Sequence, residues 1–134
     1  MTAVVDTNVV AYFLLGTEGL AEEARRGLEQ ASTLMAPTHW EAELTNVVWM
    51  AVRGGVLTEA EGPARLGLAR RLGIDSVGTS TLCQGALLRS LASGVSVYDT
   101  LFVELATRTR CPLMTFDKAV LRAFPDVATR PRDL

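Results

Sequence analysis

The chain has 134 residues, 49% of them hydrophobic and 21% charged, a composition that excludes a disordered chain and is sufficient for a buried core. Its formal net charge of −2 at pH 7 argues against the strongly basic class of nucleic-acid-binding proteins. No apolar run approaches the roughly 20 residues that span a bilayer, and Asp6 interrupts the apolar opening, so we expect one cytoplasmic domain over residues 1–134 without membrane contact.

Short apolar strands alternate with helices along the chain. In chain order we predict a strand ending at Asp6, helices over 9–15 and 18–31, a strand over 33–36, helices over 39–53 and 58–72, a strand over 74–77, helices over 79–92 and 96–110, a strand over 112–116, a helix over 117–124 and a terminal strand over 127–129. This alternation predicts an α/β fold, a single three-layer domain with a mostly parallel central sheet flanked by helices. Ligands of such sheets bind beyond the carboxyl ends of the strands.

Aspartates stand where two of the predicted strands end. Asp6 closes the first strand and Asp117 the fourth, while Asp99 lies in the first turn of the helix over 96–110. Each has a purely structural explanation: Asp6 and Asp117 as helix N-caps, and Asp99 as the acidic member of a Ser-x-x-Asp capping box that begins at Ser96. Since all three fall at the same edge of the predicted sheet, they can also form one acidic site.

A fourth acid comes from the helix over 39–53. At 100° per residue its apolar stripe leaves Glu43 just off one edge and Glu41 just off the other, so periodicity does not decide which glutamate turns inward. Asn46, three residues after Glu43 on the same flank, favours Glu43 because its amide can hold that carboxylate by a hydrogen bond.

These motifs together resemble the PIN domains and, within them, the small VapC-type toxins of bacterial and archaeal toxin-antitoxin pairs. The resemblance covers nearly the whole chain and is carried by VVDTNVV, the Glu43-x-x-Asn46 pair, YDTLFVELA and LMTFDKAV, in the order of the family. It implies a PIN-like sheet with helices on both sides and endoribonuclease activity at a site that binds Mg²⁺ or Mn²⁺. The implied acidic and supporting positions are Asp6, Glu43, Asp99 and Asp117, with Thr7, Asn8 and Thr115 shaping the pocket.

The resemblance also implies partners. They are an RNA substrate, a second copy of the chain in a homodimer, and a cognate antitoxin whose C-terminal segment covers the acidic pocket with a basic side chain. The apolar stretches over 11–15 and 86–91 are possible docking surfaces, with core burial as the alternative explanation.

The residue chemistry independently favours a hard divalent ion. Two carboxylates about 5 Å apart repel by roughly 3 kcal/mol at an effective dielectric constant of 20, so an acidic cluster needs a compensating cation. The candidate ligands are oxygens, which favours Mg²⁺ or Mn²⁺ over Zn²⁺. Cys83 and Cys111 lack metal-ligand spacing and are expected to be buried thiols, and we interpret the single histidine, His39, as structural. Metal-activated water predicts RNA products with a 5′-phosphate and a 3′-hydroxyl.

Substrate-contacting residues are less evident from the sequence. With the four site acids set aside, 11 acidic residues face 13 basic ones. Basic residues near the motifs can follow RNA phosphates or simply be solvated; they are Arg53, Arg108, Arg110, Lys118 and Arg122.

Two other function classes stay open. One is a non-catalytic, partner-binding α/β module in which the four acids only cap helices. The other is an aspartate-based phosphoryl-transfer enzyme of the haloacid dehalogenase or receiver type, which is disfavoured because VVDTNVV lacks a second Asp two positions after Asp6.

Overall fold

The computed structural model describes residues 1–134. One five-stranded sheet contains β1 (Thr2–Val5), β2 (Thr33–Pro37), β3 (Ile74–Val77), β4 (Leu113–Met114) and β5 (Ala128–Thr129), in the order β3-β2-β1-β4-β5 with every pairing parallel. The seven helices are α1 (Thr7–Leu15), α2 (Ala21–Gln30), α3 (Trp40–Arg53), α4 (Glu61–Arg70), α5 (Cys83–Ser93), α6 (Val97–Thr109) and α7 (Lys118–Ala123), before a short 3-10 turn at Pro131–Asp133. The predicted α/β fold is confirmed, including the terminal strand.

The strand order places a topological switch point between β1 and β4. From β1 the chain steps through β2 to β3 in one direction, then returns past β1 to β4 and β5 in the other. Parallel strands almost always use right-handed crossovers, so helices α1–α4 cover one face of the sheet and α5–α7 the other. The crevice where the order reverses lies beyond the carboxyl ends of β1 and β4, the place where open α/β sheets bind ligands.

A single apolar core surrounds β1. Ala3, Val4 and Val5 are almost completely buried because helices cover both faces of the central strand. Helix α6 is buried over residues 100–106, more than one full turn, since it packs against both the sheet and α5. The helix that carries Asp99 is therefore fixed on all sides.

A buried carboxylate joins α5 to α6. Glu104 accepts hydrogen bonds from Arg89 Nε at 2.7 Å and from Arg108 Nε at 2.8 Å. Gly85 on α5 faces this group, and a Cβ at that position would overlap the Glu104 carboxylate. The glycine is thus required by a close approach of side chain to backbone.

Some local predictions differ from the structure. The helix predicted over 58–72 begins only at Glu61, where Thr58 and Glu61 form a reciprocal capping box with both bonds near 3 Å. The helix predicted from residue 79 begins at Cys83. The expectation of buried thiols is wrong: Cys83 is exposed and Cys111 is half-buried. No helix combines the length and apolarity needed to cross a membrane.

Candidate active site

Asp6 occupies a helix N-cap position without capping the helix. Its backbone is extended and its amide donates to the carbonyl of Met114 at the end of β4, yet its side chain makes no cap hydrogen bond to α1. Instead, Asp6 Oδ2 accepts from Thr115 Oγ1 at 2.7 Å and, at 3.4 Å, from Asn8 Nδ2. The side chain is only 6% exposed. The Asp6 side chain therefore does not make the N-cap hydrogen bond that its sequence context suggests, although the Thr7 amide at the start of α1 opposes the rise in its pKa that burial causes.

Glu43 and Asp99 share a cavity of about 270 Å³ with Asp6. Its remaining lining is Thr7, Asn8, Ala11, Tyr12 and Val47. Glu43 is held by Thr7 Oγ1, which donates to its Oε1 at 2.8 Å. Three carboxylates from β1, α3 and α6 thus meet beside the switch point.

Glu41 and Asn46 lie away from this cavity. Glu41 is exposed, and its Oε1 lies 3.5 Å from Ser76 Oγ beside a separate, smaller hollow. Asn46 is also exposed, and no hydrogen bond joins it to Glu43, so the stabilising role predicted for Asn46 is taken by Thr7. The reason is that Glu43 turns toward α1, where a closer donor is available.

Asp117 has the cap role that its sequence context indicates, whereas the capping box at Ser96 forms only in part, because the Asp99 carboxylate accepts from the Ser96 hydroxyl and not from the Ser96 amide. Ser96 accepts from the Asp99 amide at 3.4 Å, and its hydroxyl donates to Asp99 Oδ2 at 3.1 Å. Asp117 Oδ1 accepts from the Val120 amide at 3.0 Å and caps α7. Asp117 does not line the cavity, although its charge acts on Asp99.

Thr115 and Asn8 tie the ends of β1 and β4 together. Thr115 is fully buried; besides donating to Asp6, its Oγ1 accepts from the Asp117 amide at 3.0 Å and from Asn8 Nδ2 at 3.4 Å. Asn8 Oδ1 accepts from the Phe116 amide at 3.2 Å. Two of the three residues implied to shape the pocket therefore fix Asp6 and Asp117 relative to each other.

Electrostatic strain is concentrated on Asp6. Burial raises the pKa of Asp6 from 3.8 to about 7; the Thr115 hydrogen bond opposes the rise, and the charges of Asp99 and Glu43 add to it. Burial also raises the pKa of Asp99, against the hydrogen bond from Ser96. No lysine or arginine lines the cavity, and the positive charge that faces its carboxylates is that of His39 when its ring is protonated, which opposes the rise in the pKa of Asp99 and lies 3.5 Å from Glu43 Oε1.

The donor chemistry of the cavity fits a hard divalent cation. Glu43 Oε2 and Asp99 Oδ1 in the cavity, and Asp117 Oδ2 outside its lining, are carboxylate oxygens that make no hydrogen bond within the chain. No group of three His, Cys, Asp or Glu side chains is close enough to hold an ion by itself. Mg²⁺ does not require such a group, since it commonly keeps several waters and takes one or two carboxylates plus substrate phosphate.

His39, which we interpret from the sequence as structural, lies close to the site acid Glu43. Its Nε2 is 2.9 Å from the Tyr98 carbonyl oxygen and 3.5 Å from Glu43 Oε1, and its ring packs against Phe102 at 4.9 Å. The carbonyl assigns the proton to Nε2, which leaves Nδ1 buried without a partner. His39 thus orders the α3–α6 junction behind Glu43.

The largest cavity lies elsewhere. A hollow of about 620 Å³ opens around Cys111, Arg110 and the two chain ends, and it includes residues that immediately precede β1, β4 and β5. It therefore lies at the amino-terminal edge of the sheet, opposite the switch point, and it contains none of the four predicted site acids.

Known proteins are similar to this chain in sequence. A family model described as PIN domain matches residues 3–127. A relative named Ribonuclease VapC3 from Mycobacterium tuberculosis is 31% identical over 122 residues, which cover 91% of this chain and 87% of the relative.

Solved structures share the fold. PAE2754 from Pyrobaculum aerophilum superposes with a TM-score of 0.75 at 16% identity, covering 96% of this chain and 83% of that one. VapBC2 from Rickettsia felis, solved bound to a DNA fragment from its promoter, gives a TM-score of 0.69 at 15% identity, covering 97% of this chain and 98% of that one. At such identities these two structures show the fold alone.

Proposed function

Since the chain belongs to the PIN-domain family and, within it, to the VapC-type ribonucleases, we propose that it is a metal-dependent endoribonuclease that cleaves single-stranded or structured RNA. The observation that carries the proposal is the state of Asp6. This carboxylate is buried at a helix N-terminus that it does not cap, beside Glu43 and Asp99 in one cavity. A protein that only needed a helix cap would aim the side chain at the free amides of the first turn.

We propose that Mg²⁺ or Mn²⁺ is held by Asp6 and Asp99, with Glu43 and Asp117 as further ligands or as acceptors for coordinated water. When bound, the ion supplies a water of lowered pKa and positive charge next to the scissile phosphate. The residues of the chain fix the geometry: Thr115 orients Asp6, Thr7 orients Glu43 and Ser96 orients Asp99. Asp6, Glu43 and Asp99 each accept from a hydroxyl group, which limits the freedom of these three carboxylates before substrate arrives.

The reaction we propose is hydrolysis by water. Water forms a new P–O bond while the P–O3′ bond breaks, so one product carries a 5′-phosphate and the other a 3′-hydroxyl. A ribonuclease that uses the ribose 2′-hydroxyl instead leaves a 2′,3′-cyclic phosphate, and end-group labelling distinguishes the two outcomes. Finding the cyclic product would contradict this mechanism.

Cleavage of RNA by the purified chain tests the proposal. We expect cutting with Mg²⁺ or Mn²⁺, none with a chelator, and a loss of at least about 100-fold in Asp6→Asn and Asp99→Asn, by analogy with other groups that stabilise transition-state charge. Asp126→Asn is a matched control because Asp126 is exposed and lines only the hollow at the opposite edge. Cutting that survives both the chelator and the two site variants would overturn the proposal.

We also propose that the chain is the toxin of a toxin-antitoxin pair and acts in the cytoplasm, where its RNA substrate is found. Two structural neighbours are a toxin-antitoxin complex from Klebsiella pneumoniae and VapBC2 from Rickettsia felis. An acidic cavity without a lysine or arginine in its lining suits a basic antitoxin side chain as well as a metal. Co-expressed antitoxin should copurify with the chain and inhibit cleavage, and an inhibitor with its basic C-terminal side chains replaced should inhibit less.

A homodimer is the further assembly that we propose. Of the two apolar stretches, residues 11–15 are buried or half-buried in the core, whereas Leu87, Leu88 and Leu91 on α5 are 49%, 62% and 75% exposed. Such a leucine row on one helix is typical of a surface that a protein partner covers. Sedimentation should show a dimer that Leu88→Glu weakens, and a monomer at all concentrations would refute this assembly.

A further inference from the structure

We propose that the ring of Tyr12 is a stacking platform for an RNA base next to the cleaved phosphate. The inference rests on the proposed function. It assigns a role to the part of the cavity lining that is not carboxylate. Tyr12 is the only aromatic residue among the eight that line the cavity. It is half-buried, and its hydroxyl makes no hydrogen bond within the chain.

The cavity has an acidic part and an apolar part. Asp6, Glu43 and Asp99 form the first, while Ala11, Tyr12 and Val47 form the second. A nucleotide has the same two parts, since an anionic phosphate is joined through the sugar to a flat base. If a phosphate were held at the acids, Tyr12 would be the aromatic surface that the same cavity offers to the adjoining base.

The platform is held rigidly from behind. The Phe116 ring meets the Tyr12 ring edge to face, with centroids 5.3 Å apart and planes inclined by 68°. The Arg130 guanidinium lies over Phe116 at 5.2 Å. Glu23 fixes that guanidinium by accepting from its Nε at 3.0 Å and its Nη2 at 2.7 Å. The resulting row of side chains, from Glu23 on α2 to Tyr12 on α1, orders the Tyr12 ring before substrate binds. Little side-chain freedom is therefore lost on stacking.

Binding by this platform should depend on the base without depending strongly on its identity. Every base has a flat π-face, and stacking on an aromatic side chain contributes roughly 1–3 kcal/mol per base. Besides the three carboxylates the cavity is lined by Thr7, Asn8, Ala11, Tyr12 and Val47, so Tyr12 supplies its only flat apolar face. We therefore infer a general preference for nucleotides over bare sugar phosphate at this position.

The test compares the affinity for a random-sequence single-stranded RNA oligonucleotide with that for an abasic ribose-phosphate oligomer of equal length. Wild type should bind the RNA more tightly, and Tyr12→Leu should reduce that ratio by about 5- to 150-fold, the range that stacking energy implies. Tyr12→Phe keeps the ring and should retain the wild-type ratio. Because the ratio is taken within one preparation, a fraction of misfolded variant cancels.

Trp49→Ala is the matched control, since Trp49 is 53% exposed on α3 but does not line the cavity. It should leave the ratio unchanged. If wild type cleaves RNA and Tyr12→Leu keeps the wild-type ratio, the platform is overturned while the nuclease stands. If wild type cleaves no RNA under any metal condition, the nuclease is overturned, and the platform stands or falls with the effect of Tyr12→Leu on the binding ratio.

Discussion

Replacing Asp6 by asparagine should change the stability of the protein in a pH-dependent way. In the folded state burial raises the pKa of Asp6 from 3.8 to about 7. Asparagine has nearly the same shape, keeps an oxygen that can accept from Thr115 Oγ1, and does not ionise. The variant therefore removes the buried charge and little else.

The direction of the stability change depends on whether the folded or the unfolded chain loses the Asp6 proton at the lower pH. Below about pH 4 the group is protonated in both the folded and the unfolded chain, and it contributes nothing to the pH dependence. Between about pH 4 and pH 7 the unfolded chain ionises while the folded chain keeps its proton, so the free energy of unfolding falls as pH rises. The shift of the Asp6 pKa to about 7 corresponds to a total loss of at most about 4 kcal/mol, complete just above pH 7.

Urea unfolding of wild type and Asp6→Asn across this range, in chelator, measures the effect. The variant should gain up to about 4 kcal/mol relative to wild type between pH 4 and pH 8. Adding Mn²⁺ at pH 8 should restore stability to wild type, by about 2.7 kcal/mol at a hundred times its dissociation constant, but not to the variant. A difference between the two proteins that stays constant with pH would refute the assignment of a desolvated carboxylate at Asp6.

Three further changes have distinct expected results. Glu43→Gln should lower RNA cleavage at least about tenfold while Glu41→Gln leaves it unchanged, because only the former lines the cavity; equal rates would contradict the choice of glutamate. Thr115→Val removes a buried hydroxyl with three hydrogen-bond partners and should destabilise by about 1–3 kcal/mol in urea unfolding. Gly85→Ala forces a methyl group into the Glu104 carboxylate and should destabilise by a similar 1–3 kcal/mol, and an unchanged melting temperature would argue against the α5–α6 contact.

The sheet was predictable because its signal is local and repeated. Most strands are short apolar runs closed by a polar or turn residue, with β3 the exception because it carries Asp75 and Ser76, and parallel strands with helices between them have few possible arrangements. The position of Asp6 beyond a strand end followed directly from this local pattern. The absence of a side-chain cap from Asp6 to α1 could not be predicted, since a capping and a non-capping aspartate have the same sequence context.

The details that sequence missed depend on tertiary packing. Asn46 shares a helix flank with Glu43, but the actual donor, Thr7, comes from α1 and is 36 positions away in the chain. Tyr12 was detectable, because it lies four residues after Asn8 on the same face of α1. The apolar context of that helix made core burial the simpler interpretation.

Whether the acidic cavity is the catalytic metal site is tested most directly by a titration with Mn²⁺. Bound metal is followed by electron paramagnetic resonance, and RNA cleavage is measured in the same samples. In wild type, cleavage should rise with the bound Mn²⁺ and be half-maximal at the same free concentration. In Asp6→Asn, both should be lost together. Cleavage by wild type before any Mn²⁺ is bound, or unchanged Mn²⁺ binding by a variant that no longer cleaves, would contradict the placement of the metal beside Asp6.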